Sequence, residues 1–400
     1  MKPTNNLAEG NTKPSQKANL LYNPTFRSVV FQLIAVFVLG SFIYTIVSNA
    51  LNNLDARGIA TGFDFLTQEA GFGIGQTLIE YDETYSYGRT FVIGLLNTAL
   101  VAVLGIIFAT LLGFTMGIAR LSSNWLVSRL AAVYIEVFRN IPLLLQIFFW
   151  YFAVLQALPS PRQSMSLGEA IFLNVRGLYL PSPVFEAGSS IVLAVFVLAI
   201  AASIVISVWA KNKQKLTGQQ TPIALIATGL CIILPVVTYF LVGMPITAEY
   251  PVLKGFNFRG GITILPELAA LLMALSVYTA SFIAEIVRSG INAVSHGQTE
   301  AAMALGLPRS RTLKFVVIPQ ALRIIIPPLT SQYLNLTKNS SLAMAIGYPD
   351  LVSVFAGTTL NQTGQAIEII AMTMGVYLTL SLVTSALMNI YNRKVALVER

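Results

Sequence analysis

The sequence predicts an all-α polytopic membrane protein of about eight transmembrane helices, and three observations predict it. Hydrophobic residues make up 55% of the 400-residue chain and charged residues only 10%, whereas soluble domains carry roughly 25% charged residues. So few charges cannot coat a soluble globule. Apolar runs close to the roughly twenty residues that cross a hydrocarbon core recur at 29–50, 91–119, 132–158, 189–210, 222–242, 265–287, 324–347 and 367–390. The basic residues between those runs are unevenly distributed. Of the 25 Lys and Arg, only Arg57, Arg89, Arg162, Arg176, Lys254 and Arg259 fall opposite the N-terminus, with Lys338 inside a span. The side richer in Lys and Arg faces the cytoplasm, which predicts cytoplasmic N- and C-termini.

Residues 1–28 read as a cytoplasmic tail. Lys2, Lys13 and Lys17 precede about twenty apolar residues from Val29, too long a run for a cleavable signal, so 29–87 reads as a first span with a polar external loop. Within that loop, Gly71-Phe-Gly-Ile-Gly-Gln-Thr77 lacks the lysine of a phosphate loop and reads as a flexible connection. Residues 88–158 hold two spans. Residues 159–263 hold a Pro-rich external loop, two further spans and a linker at 211–221 that begins Lys211-Asn-Lys-Gln-Lys215. Residues 264–392 hold the last three spans around the loop 289–323, and 393–400 form a second cytoplasmic tail. The third and seventh spans contain Pro142 and the polar run Asn335–Ser341, which make their boundaries the least secure.

Composition excludes several functions. The +8 net charge is spread between apolar blocks rather than gathered in a patch, so no nucleic-acid partner is expected. Cys231 and His296 are the single cysteine and histidine, too few for a Cys/His zinc site, and no metal or cofactor is expected. No catalytic motif occurs, including a Walker lysine motif. The chain is expected not to be an enzyme, and energy for any transport must come from a partner or a gradient.

The loop 289–323 carries the most specific pattern. Ser295 and Gln298 are spaced as a capping box, starting a helix at about 296 that runs through Glu300-Ala-Ala-Met-Ala-Leu305. Gly306 suits the left-handed residue that ends a helix, and Pro308 prevents resumption in register. A second short helix over Arg309–Val317 then leads to Pro319. The small residues Ala301, Ala302 and Ala304 permit close approach by another backbone. This pattern fits a docking elbow and fits equally a helix lying on the lipid surface.

Glu300-Ala-Ala-x-x-x-Gly306, followed by Ile318-Pro319-Gln-Ala321, resembles the Glu-Ala-Ala loop of the membrane subunits of bacterial ABC importers, with isoleucine before Pro319 where leucine is frequent. Asn97-Thr98, Gly117-Ile-Ala-Arg-Leu121, Tyr134–Gln146, Lys338-Asn-Ser-Ser-Leu342 and Ile346-Gly347 are similar to the polar amino-acid branch of that family. The insertion 159–263 resembles that of the long permeases of general L-amino-acid importers. The resemblance implies a permease core over 88–158 and 264–392 in a bacterial inner membrane. It implies an ATPase-coupling role for Glu300, Ala301, Ala302, Gly306 and Pro308, and L-amino acids as substrate. It also implies three partners: a cytoplasmic ATP-binding subunit, a second similar permease and a periplasmic substrate-binding protein. The alternatives are an ion-gradient-driven secondary amino-acid transporter, which would show matched broken helices and buried acids near the midplane, and a non-catalytic membrane scaffold.

Polar residues inside the bilayer are costly and therefore informative. Lys338 lies about 14 residues beyond Ile324, roughly 21 Å along a helix, and with Asn335, Asn339 and Ser340 it either lines a passage or makes a structural pair. Glu136, Arg139 and Asn140 share a helix face before Pro142, which frees the carbonyl of Phe138 and requires a polar partner for it. That segment reads as a gate or as a Glu136–Arg139 structural pair, with Gln146 a further candidate for the passage.

Overall fold

The computed structural model describes residues 24–56, 58 and 61–395. The remainder of the two tails, including Lys2, Lys13, Lys17 and Arg400, and the loop residue Arg57 lie outside the described residues. Among the described residues, seven helices are long and apolar enough to cross a membrane, or eight if one bent pair counts as a span.

The helices are α1 (Pro24–Ala56), α2 (Tyr87–Arg120), α3 (Trp125–Asn140) and α4 (Leu143–Phe148), which continues as a π-helical stretch to Leu155. After a β-rich segment come α5 (Ser189–Thr217), α6 (Ile223–Thr228), a π-helical turn at Gly229–Ile233 and α7 (Leu234–Leu241). A second β-rich segment precedes α8 (Pro266–Asn292) and α9 (His296–Ala304). Then follow α10 (Arg309–Thr312), a π-helical turn at Leu313–Val317, α11 (Ile318–Asn339), a 3-10 stretch at Ser340–Ile346, a π-helical stretch at Val352–Thr359, α12 (Leu360–Thr363) and α13 (Ala366–Val395).

Three expectations are corrected. The third span is not straight, because α3 and the helix Leu143–Leu155 meet at 107°; Pro142 has no N–H and its ring excludes a continuous helix. The helix before the seventh span does not stop near Pro319, since 309–346 forms one helical rod. A π-turn, Leu313–Val317, lies just ahead of the proline and shifts the hydrogen-bond register where the proline enters the rod. The lysine-rich 211–221 is no linker but remains helical to Thr217, where Gly218 in the left-handed conformation (φ 70°) closes α5. The residues after the seventh span form a further helix, Val352–Thr363.

Outside the spans the chain is not all-α. The strands β1 (Met165–Leu167), β2 (Ile171–Asn174), β3 (Gly177–Leu180) and β4 (Ser182–Phe185) come from one inter-span connection. β5 (Ile246–Glu249), β6 (Val252–Lys254), β7 (Asn257–Arg259) and β8 (Ile262–Ile264) come from the next. β1, β2, β3 and β8 make one antiparallel sheet, with Tyr179 opposite Thr263, and β4 pairs with β5. Each connection is too short to bury a core of its own, so the two pair edges and share one. Tyr179 is buried in it and donates its hydroxyl to Asn257 Oδ1 at 2.8 Å. Burial raises the Tyr179 phenol above its ordinary pKa, which keeps it a donor.

The helical core sits around α2 and α8. Gly113 and Gly117 let them touch: a Cβ on Gly113 would lie 2.6 Å from Ile283 Cβ, and one on Gly117 2.7 Å from the Ala284 carbonyl oxygen. This small-xxx-small pair is packed within the chain. Val101, Ile147, Leu271, Leu275 and Tyr348 fill the half of the bundle toward the strands. Ala109, Ile283, Ile325 and Leu336 fill the half toward α9. The hairpin α5–α7 packs mainly on itself and joins the core through the β3–β8 pairing.

Candidate functional site

Chemistry-bearing residues gather in four places. The first is the elbow after α8. Ser295 precedes α9 as expected, but its side chain makes no capping bond; only its carbonyl accepts from the Gln298 N–H, at 3.0 Å. The C-terminal end is better determined. Gly306 is left-handed (φ 81°), its N–H donates to the Met303 carbonyl at 2.9 Å, and the Leu307 N–H donates to the Ala302 carbonyl at 3.1 Å. These two bonds are a Schellman closure. Pro308 starts the next helix, and the Thr312 hydroxyl bonds back to the Leu307 and Pro308 carbonyls.

Glu300, Ala301 and Ala304 are exposed, whereas Ala302, expected on the surface, turns inward. The helical period allows only part of a turn to face out. Sequence reasoning missed the apolar tip: Leu305 is 84% exposed and Met303 lies beside it. Leu305 and Met303 together make the tip of the turn apolar.

The second place is the α3–α4 break. Gln146 is 4% exposed, and its Nε2 donates to the Phe138 and Ile141 carbonyls, at 3.0 Å each. The proline releases the first of these carbonyls and the bend frees the second, so Gln146 staples the bend, and its Oε1 is buried with no protein partner. Asn140 Nδ2 donates to the Glu136 carbonyl at 2.7 Å. Arg139 stacks 5.2 Å from the Phe282 ring centroid. The Glu136–Arg139 pair does not form; among the described residues the ion pair is Arg288 with Glu285. Tyr134, donating to the Val277 carbonyl at 2.7 Å, holds α3 against α8.

The third place was not foreseen. Between Ile346 and Val352 the chain breaks again, and Asp350, fully buried, accepts from the Ser353 N–H at 2.9 Å and from the Tyr377 hydroxyl at 3.2 Å. Asp350 thus caps the helix that follows and ties it to α13. Asn97 on α2 donates to the Pro349 carbonyl at 2.8 Å and to the Gln76 carbonyl at 2.9 Å. The glycine-rich stretch 71–77 is therefore a strap fastened to α2 and to this break, not a free loop. Thr98 Oγ1 accepts from the Leu351 N–H at 3.0 Å. Pro349-Asp350 ahead of an apolar run is a helix-start signal that could have revealed the cap.

The fourth place is a cavity of about 490 Å³ on the flank of α11 and α13, lined by Lys338, Ser341, Thr373, Tyr377 and Ser381 among others. Asn335 and Lys338 are exposed and Asn339 half-buried, while Ser340 turns inside and donates to the Thr337 carbonyl. Lys338 thus shares its cavity with hydroxyls from α13 rather than with Asn335, Asn339 and Ser340. Tyr377 belongs both to this cavity and to the Asp350 cap, linking the third and fourth places. Arg139, Asn140 and Gln146 belong to the first break instead.

The model of a family described as binding-protein-dependent transport system inner membrane component matches residues 109–397. The chain is 57% identical over 382 residues, 94% of its length and 96% of the relative's, to YhdX of Escherichia coli K12, provisionally named an amino-acid ABC transporter permease protein. It is 52% identical over 380 residues, 95% of each chain, to the general L-amino acid transport system permease protein AapQ of Rhizobium johnstonii. BztB of Rhodobacter capsulatus, a glutamate/glutamine/aspartate/asparagine transport system permease protein, is 42% identical over 412 residues, 95% of this chain and 96% of that one.

Proposed function

Starting from the chain's membership in the family of binding-protein-dependent transport system inner membrane components, we propose that it is the permease subunit of an ATP-driven importer of L-amino acids. The observation that carries the substrate class is similarity along nearly the whole chain to AapQ and BztB, relatives named for amino-acid transport. Residues 88–158 and 264–392 are the permease core, and 159–263 is an addition to it. The strand side faces the periplasm and the elbow side the cytoplasm, which leaves both termini inside, as the placement of Lys and Arg supports.

The elbow is the coupling element. Glu300, Ala301, Gly306 and Pro308 present a rigid turn, with Leu305 at its tip, to a separate ATP-binding subunit that hydrolyses ATP. Ala302 anchors the turn from behind. Motion of that subunit reaches the rod 309–346 directly, because α10 and α11 are continuous with it. The rod ends at the Asp350 break, where the Asn97 strap covers the outer end, so a push at the elbow works against a bistable break rather than a uniform helix. Lys338, among hydroxyls, is the cationic group that a substrate carboxylate meets. Asn335 and Asn339 lie on the same helix, while Arg139, Asn140 and Gln146 stand at the other break and Ser340 turns inside. A second similar permease completes the passage, and a periplasmic binding protein delivers the substrate.

The test is uptake of radiolabelled L-amino acids into proteoliposomes holding this chain with its co-purifying subunits, with binding protein outside and ATP inside. Accumulation that requires ATP and survives an uncoupler is the expected result. Accumulation driven by an imposed ion gradient without ATP would instead mark a secondary transporter.

A further inference from the structure

Between Glu186 and Glu249 the sequence contains no Asp or Glu, and its only charges are Lys211, Lys213 and Lys215. The hairpin α5–α7 lies wholly inside that interval. Its substantial packing is internal, so one side of α5 is left open. There a groove of about 490 Å³ beside Lys211, Asn212 and Lys215 adjoins another of about 330 Å³ beside Ile200, Ile204 and Ser207, which Cys231 borders from the other arm of the hairpin. Val208 and Lys211 line both. Positions 200, 204, 208, 211 and 215 recur every three or four residues, with Ser207 beside Val208, so the two grooves share one helix face.

The dimensions and chemistry of that face match one leaflet. From Ile200 to Lys215 it measures roughly 22 Å at 1.5 Å per residue. One leaflet contributes about 15 Å of hydrocarbon, which leaves the last turns of α5 at headgroup depth. Trp209 marks the same level: it is exposed, and Lys213 Nζ lies 5.1 Å from its ring centroid, as expected of a residue at the membrane interface. The polar groups in the wall above the lysines are engaged within the hairpin, Ser203 Oγ also lying 3.4 Å from Cys231 Sγ. Ser203 and Ser207 give their hydroxyl protons to the Ala199 and Ser203 carbonyls, at 2.8 and 2.7 Å. No carboxylate pairs with the lysines among the described residues.

We propose that this face of α5 binds an anionic phospholipid. Lys211 and Lys215 hold its phosphodiester, Asn212 donates a further hydrogen bond, and an acyl chain lies along Val208, Ile204 and Ile200. A single cation would attract any anion weakly; a cation pair that ends an apolar groove selects an anion carrying a hydrocarbon tail. The lipid secures to the bilayer a hairpin that the core does not hold. Assignment to the inner leaflet rests on the orientation proposed above, but the site itself does not.

The test uses the full-length chain in mild detergent with Trp125→Phe and Trp150→Phe, which leaves Trp209 as the reporter. Brominated phosphatidylglycerol should quench Trp209 at about tenfold lower mole fraction than brominated phosphatidylcholine. Lys211→Gln with Lys215→Gln should remove most of that tenfold preference. Equal quenching by the two lipids, or a preference that survives the double substitution, overturns the proposal. Displacement of the brominated lipid by millimolar inorganic phosphate also overturns it, by assigning the lysines to a free anion. If the tryptophan variants do not fold, native mass spectrometry of the wild-type chain and the lysine variant compares retained phosphatidylglycerol directly. Neither readout depends on transport, so a chain that fails to import amino acids leaves the result standing.

Discussion

Replacing Gly306 with valine separates backbone geometry from packing at the elbow. Gly306 is left-handed (φ 81°), and a Cβ placed there would meet nothing within 4 Å. The cost of a side chain is therefore conformational. A left-handed backbone costs an L-residue about 1–2 kcal/mol, and a β-branched residue suffers most. If the turn relaxes to escape that strain, it loses the Leu307–Ala302 and Gly306–Met303 bonds, each worth about 0.5–1.5 kcal/mol net. Gly306→Val thus destabilises the docked turn by about 1–3 kcal/mol, whichever way it yields, and should lower its population by roughly one to two orders of magnitude. The elbow lies outside the core, so the melting temperature of the purified chain should hardly change. Asparagine tolerates the left-handed region, and Gly306→Asn should transport within about twofold of wild type by this argument. The assay is ATP-dependent uptake in proteoliposomes, run beside thermal unfolding of each variant. Wild-type uptake by Gly306→Val would refute the coupling role of the elbow. An asparagine variant as inactive as valine would refute the backbone argument and place the constraint in the partner's groove.

Three other substitutions probe the remaining places. Gln146→Leu leaves the Phe138 and Ile141 carbonyls unpaired at about 1–3 kcal/mol each, partly offset by losing an orphaned Oε1. The chain should melt several degrees lower, and an unchanged melting temperature would remove Gln146 as the staple of the bend. Asp350→Ala strips the cap from the helix Val352–Thr363 and its tie to Tyr377, a loss of about 2–4 kcal/mol. Faster proteolysis after the break is the expected sign, and resistance equal to wild type counts against the cap. Lys338→Met keeps the volume and removes the charge, so it should raise the KM for substrates bearing a side-chain carboxylate more than for neutral ones. A uniform change across substrates would mean that Lys338 does not meet the carboxylate.

The sequence was most informative where a physical rule acts locally. The elbow was legible because Gly306 and Pro308 constrain their own backbone whatever surrounds them. Pro142 announced a break for the same reason, and the need for a polar partner to the Phe138 carbonyl followed from the missing N–H. Gln146 as that partner was not legible, because the amide meets the carbonyls only once the chain has turned through 107°. Asp350 was overlooked because its single carboxylate resembles an ordinary loop acid until Tyr377, far along the chain, is brought to it.

Composition alone determined that this chain lives in a bilayer, since so few charges cannot solvate so much apolar surface. Hydrophobic run length located the spans, and the glycine and prolines of 306–308 determined the elbow. Only the tertiary structure decided that two separate connections share one β-sheet, that Asn97 fastens the strap, and that Lys338 faces hydroxyls from α13 rather than its own neighbours. It also decided that the lysines of 211–215 stand on a helix face instead of in a linker. The reason is common to all of these. Run length and turn chemistry are properties of a short stretch, whereas the partner of a buried polar group comes from wherever packing delivers one.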